Sequence, residues 1–186
     1  MTHPLAQLSR PARARMLAWT VLLTIALMAA LQRVGAPLEN HAAPLGIVSF
    51  ELAKTVFATG GILASWDETA RLYAAFGLGL DYLFLMAYST SIALGCLWAG
   101  EVLGTRGNAL AQLAPWLAWG QWLAALLDAL ENGALLVVLI GPAASPWPWI
   151  AWACAVPKFI LIAAGLLYLP FGIFVALIAR RDPSPG

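Results

Sequence analysis

The sequence predicts an all-α integral membrane protein. The expected architecture is a four-transmembrane-helix bundle with an extra interfacial or re-entrant helix between spans 1 and 2. Three observations lead there. Hydrophobic residues make up 62% of the 186 positions and charged residues only 10%, against roughly 45–50% and about 25% in soluble domains. Apolar stretches of spanning length recur along the chain. A few charges sit inside those stretches, where they are costly and seldom face lipid. The length fits a single membrane domain, residues 1–186.

Residues 1–15 carry Arg10, Arg13 and Arg15 and no acid. The first span follows over about 16–32, free of charge and just long enough to cross. Val34-Gly35-Ala36 also resembles a signal-peptide cleavage site. Arg33 beside it and the length of the apolar run favour a retained span.

Residues 34–70 form an outer segment. Pro37 and Pro44 make its start irregular. Gly46 to Ala58 is apolar but too short to span, and it contains Glu51 and Lys54. It reads as an interfacial or re-entrant helix ending at Gly60-Gly61. Ser65-Trp66-Asp67-Glu68 has the form of a capping box with Ser65 at the N-cap.

Span 2 is expected over about 72–99, ending before Gly100-Glu101 and a polar loop around Arg106. Span 3 covers about 113–140, with Trp116, Trp119 and Trp122 near its start as an aromatic belt. Gly141-Pro142 stops it. Span 4 covers about 150–179 and ends at Arg180-Arg181, with Pro157 and Pro170 as candidate kinks. Gly95 with Ala99, and Ala75 with Gly79, are small-xxx-small pairs suited to close helix packing.

Arg10, Arg13, Arg15, Arg106, Arg180 and Arg181 fall on one side of this layout, and Arg33, Lys54 and Arg71 on the other. The bias predicts cytoplasmic termini.

The chemistry concentrates in span 3. Asp128, Glu131 and Asn132 are spaced i, i+3, i+4 and share one helix face. Asp81 lies about 13 Å below the outer end of span 2, Glu131 about 13 Å below that of span 3, and Lys158 about 12 Å below that of span 4. Acids and base thus meet at one level in the outer half. Tyr88 follows Asp81 by two turns on the same face, and Glu51 joins from above if its helix dips inward. Glu51 and Lys54 also fit a plain interfacial pair, and Tyr88 a packing tyrosine. If all the acids ionise, negative charge is in excess. Protonated carboxyls, a metal ion or a cationic ligand would correct that.

No catalytic signature is present: no GxSxG, HExxH, Glu-x-x-His or glycine-rich phosphate loop. The spans lack histidine, which argues against zinc or haem. No cofactor is expected. The remaining metal alternative is an all-oxygen Mg²⁺ or Mn²⁺ site from the three acids. Cys96 and Cys154 fall near opposite faces, so no disulfide is expected between them.

Four motifs carry a resemblance: Phe50-Glu51-Leu52-Ala53, Ile62-Leu63-Ala64-Ser65-Trp66, Asp81 with Phe84 and Tyr88, and Asp128-Ala129-Leu130-Glu131-Asn132. Together they resemble a group of small bacterial four-span inner-membrane proteins of unknown function, over most of residues 46–140. The resemblance implies a bacterial inner membrane and no particular activity.

Three functions fit these residues. In the first, Asp81, Tyr88, Asp128, Glu131, Asn132, Lys158 and Glu51 bind or transport a small ligand, ion or proton. In the second, a membrane-embedded enzyme acts on a lipid or isoprenoid by carboxylate acid/base chemistry. In the third, an accessory subunit holds a buried ionic network. The expected partners are membrane lipids and, for so small a transporter, a second copy in a homodimer. The net charge of +1 gives no reason to expect nucleic acid.

Overall fold

The computed structural model describes residues 2–181, and among these every regular element is helical. Six α-helices follow in order: α1 (Arg10–Gly35), α2 (Ile47–Glu51), α3 (Val56–Ser65), α4 (Glu68–Gly104), α5 (Ala114–Ile140) and α6 (Trp147–Arg181). Helices α1, α4, α5 and α6 are long and apolar enough to cross a membrane. Helices α1, α4 and α6 run beyond their expected spans at both ends, while α5 matches its own to within one residue. The 37 residues of α4 give a rod of about 55 Å, so its ends project past a hydrocarbon layer of about 30 Å. Arg180 and Arg181 close α6, but their side chains lie outside the described residues.

Helix α4 is the axis, packing against α1, α5 and α6. Helices α5 and α6 also pack on each other, whereas α1 rests almost wholly on α4. The ends of the bundle differ in how they close. At the end holding the chain termini, glycines let the backbones approach. A Cβ on Gly172 of α6 would strike Ala99 of α4, and one on Gly100 of α4 would strike Ala114 of α5. Gly95 faces Leu169 at 3.0 Å from its would-be Cβ, so Gly95 and Ala99 both serve the α4–α6 contact. Gly79 has nothing within 4 Å. The Ala75–Gly79 pair is therefore no crossing point.

The outer segment departs from expectation in three ways. Ser65 does not cap α4. It ends α3, with Oγ donating to the Ile62 carbonyl at 2.7 Å. The cap is Asp67, whose Oδ1 accepts from the Ala70 amide at 2.7 Å, because a carboxylate one residue from the helix reaches the free first-turn amides better. The apolar helix over Gly46–Ala58 is instead two helices, α2 and α3, broken where Lys54 takes a left-handed φ of 56°. Thr55 then caps α3 by accepting from Ala58 N at 3.1 Å. Gly60-Gly61 does not stop a helix but lies inside α3, which continues to Ser65.

The N-terminal residues are not a loose basic tail. His3 is fully buried, its ring edge-on to Trp119 and Trp122 at centroid distances of 4.9 and 4.5 Å. These two indoles thus pack inward, while Trp116 stays exposed as a belt residue would. Arg13 pairs with Glu101 at 2.5 Å. His3 Nδ1 accepts from Leu5 N at 3.2 Å, and burial holds the ring's pKa below the usual 6.5. The docked state favours the neutral imidazole. Docking is therefore at full strength above about pH 6.5 and weakens as pH falls through that value toward the lower docked-state pKa. An acid-induced change in tryptophan fluorescence is expected, and it should be absent in His3→Phe. A change that survives the substitution belongs to another group.

Candidate functional site

The polar site is assembled by four helices. Its outermost member depends on a local anchor. Trp66 Nε1 donates to the Leu38 carbonyl at 2.9 Å, and its ring packs against buried Phe50 at 5.2 Å between centroids. That anchor fixes α2 against the bundle, and Glu51, the next residue, faces inward. Its Oε2 lies 3.7 Å from Lys158 Nζ. Because α2 breaks at once, Lys54 turns the other way and sits over the Trp152 ring at 4.0 Å. The i, i+3 spacing of Glu51 and Lys54 therefore makes no ion pair.

Lys158 is buried in α6 and meets three carboxylates. Its Nζ donates to Asp128 Oδ1 at 3.0 Å and lies 2.7 Å from Glu131 Oε2. The Glu131 contact is the shorter, yet it lacks hydrogen-bond alignment, and both Glu131 oxygens are buried without a hydrogen-bond partner. Of the two, Asp128 is the directional partner. Its other oxygen accepts from Tyr88 OH at 2.8 Å. The tyrosine is thus a member of the network and not only a packing group. Burial pushes the Glu51 carboxyl up, opposed by Lys158 and reinforced by Asp128.

Asp81 stands apart from the ammonium. Its Oδ2 accepts from Asn132 Nδ2 at 2.7 Å. Spacing groups Asn132 with Asp128, but the structure turns its amide to the neighbouring helix. Asp81 therefore has a neutral partner, while Asp128, Glu131 and Glu51 share the single cation.

Two cavities touch this site. The larger, about 420 Å³, opens between α1 and α6. Thr24 and Met28 of α1 form one wall, Phe159, Ile162 and Leu166 of α6 the other, and Glu51, Asp81 and Asp128 with Lys158 the floor. A smaller cavity of about 80 Å³ lies among α1, α2, α4 and α5. Glu51 and Asp81 line both.

Sequence reasoning missed Thr24 and Ser91, whose hydroxyls meet at 3.3 Å beside the larger cavity. It also missed Gln121, buried and donating to the Leu161 carbonyl at 2.8 Å. A lone amide or hydroxyl in an apolar run was the available signal. Among the described residues no group of three or more His, Cys, Asp or Glu side chains is arranged to hold a metal ion. The carboxylates face an ammonium, a phenol and an amide instead.

In comparisons with known proteins, no family profile, curated protein or solved structure matches the chain.

Proposed function

We propose that the chain is a multi-pass membrane protein that binds a small ligand at the Lys158 cluster and exchanges protons there. The observation that carries this reading is the charge imbalance. Glu51, Asp128 and Glu131 surround one ammonium, and Asp81 has only an amide. Ionising all four would bury negative charge without compensation, at several kcal/mol or so per ion. Protons or a cation must supply the difference. A static tie between helices needs neither the extra acids nor an adjoining cavity of about 420 Å³.

Lipid surroundings are supported by the apolar perimeter, where Trp19, Ile25, Phe76, Leu167 and Phe174 are exposed. Leu45, Leu52, Val56 and Phe57 are exposed on the outer segment, which suits helices lying in the interface. With cytoplasmic termini, as the arginine bias favours, a cysteine at exposed Ser65 should be labelled in whole cells. Labelling only after lysis would reverse the orientation.

Glu131 is the proposed proton-exchanging group, since it is fully buried, its Oε1 has no partner, and it shares the one Lys158 ammonium with two other carboxylates. Infrared difference spectra of the purified protein should contain a protonated-carboxyl band, and Glu131→Gln should remove it. The amide matches a protonated carboxyl in size and charge. The loss of stability should then stay below about 1.5 kcal/mol, as for near-isosteric replacements. Absence of any protonated-carboxyl band over the pH range of the folded protein would overturn proton exchange.

A further inference from the structure

We infer that the ligand is a hydrophobic organic monocation, which enters from the bilayer between α1 and α6 and pairs with Asp81 and Glu51. The inference rests on the proposed ligand-binding reading and adds the chemical class and the route.

The route follows from packing. Helix α1 leans on α4 and leaves α6 largely uncovered, so the larger cavity opens sideways at mid-bundle. Its mouth is apolar: exposed Met28 on one side, exposed Phe159 and Leu166 on the other. An aqueous ion would have to shed its water against these side chains. A molecule already dissolved in lipid would not. The volume, about 420 Å³, lies within the usual range of about 300–1,000 Å³ for sites that take drug-sized molecules.

The charge of the ligand follows from the floor. Lys158 is occupied by three carboxylates and offers no free positive charge to an anion. The unsatisfied groups are acidic. Glu51 is nine-tenths buried, and its Oε2 meets only the Lys158 ammonium, at 3.7 Å and without a hydrogen bond. Asp81 meets only the Asn132 amide. These two carboxyls, from α2 and α4, are the ones that line both cavities. A cationic head placed where the cavities adjoin would meet both, while its apolar body fills the larger space. A desolvated cation beside the Phe84 ring, which lines the larger cavity, gains further attraction from the ring face.

Protons compete for the same oxygens. The charged or titratable groups that share a cavity wall with Asp81 are Glu51 from α2, Asp128 from α5, Lys158 from α6, and Tyr73 and Tyr88 on its own helix. Helix α1 contributes none to either cavity wall. Acidification should therefore expel the cation by protonating the acids. No nearby base gains a charge to assist that expulsion, because Lys158 is already an ammonium.

The test is equilibrium binding of radiolabelled methyltriphenylphosphonium to the full-length protein in detergent. Its uncharged counterpart 1,1,1-triphenylethane and the anion tetraphenylborate serve as competitors. One cation should bind per chain, resist both competitors and be released on acidification. Asp81→Asn should weaken binding by roughly thirtyfold or more, as expected when one member of a desolvated charge pair is removed. Asn at this position can still accept from Asn132. Should that variant not fold, Glu51→Gln and the wild-type pH dependence test the same contact. Equal displacement by triphenylethane would mean greasy binding without charge recognition, and displacement by tetraphenylborate would mean that Lys158 is the recognising group. Either result overturns the inference. Absence of cation binding while the Glu131 protonated-carboxyl band persists would reject the ligand class and leave proton exchange standing.

Discussion

Lys158→Met is expected to be the most damaging single substitution in the site, lowering stability by about 3–5 kcal/mol. The methionine fills most of the lysine's volume, so a cavity is not the cause. The loss comes from the acids left behind. Asp128, Glu131 and Glu51 all lie within 4.0 Å of Nζ, and without it the ionised members of the three repel in a medium that screens them poorly. Some relief comes from proton uptake, so the damage should be smaller at acid pH. Adding Asp128→Asn should recover part of the loss. It removes one uncompensated charge and leaves an amide oxygen to accept from Tyr88. The melting temperatures of the two single variants and the double in detergent measure this. A coupling of about 0.5–3 kcal/mol is expected between groups in direct contact. Strictly additive losses would mean that Lys158 and Asp128 do not interact.

Gly172→Leu is expected to have the second large effect, and through a different mechanism. A Cβ at this position would strike Ala99 Cβ and lie 2.7 Å from Ala99 Cα. The obstacle is α4 backbone, which cannot rotate out of the way as a side-chain tip can. Helix α6 would have to move off α4 near the end of the bundle that holds the termini, uncoupling Gly95 from Leu169 as well. Overpacking of this kind costs typically 1–3 kcal/mol or so, and more where backbones touch. Gly79→Leu is the matched control, since nothing lies within 4 Å of its Cβ position. A lower melting temperature for Gly172→Leu with no change for Gly79→Leu is the expected pair. Equal behaviour of the two would remove the α4–α6 glycine contact from the account of stability.

Much of this molecule is legible in its sequence. Four long helices follow from apolar run length alone, because a span of given thickness requires a fixed number of residues. That Lys158 meets at least one of Asp81, Asp128 and Glu131 follows from cost, and only the packing selects Asp128 and Glu131 over Asp81. An ammonium in an apolar helix must find an acid, and helix rise puts those acids at its level. Other features depend on groups far apart in the chain. Asn132 shares a helix face with Asp128, yet its partner is Asp81, because α4 and not α6 passes that edge of the face. Glu51 and Lys54 are one helical turn apart by spacing, but a left-handed residue between α2 and α3 sends them to opposite sides. Ala75–Gly79 and Gly95–Ala99 have the same pattern, and only the second meets another helix. Spacing within one element fixes which side chains share a face, since the helix period is set by local sterics and hydrogen bonds. Which neighbour that face meets, and the opening left between α1 and α6, depend on how whole helices pack. That is a property of the assembled bundle and no single stretch of sequence contains it.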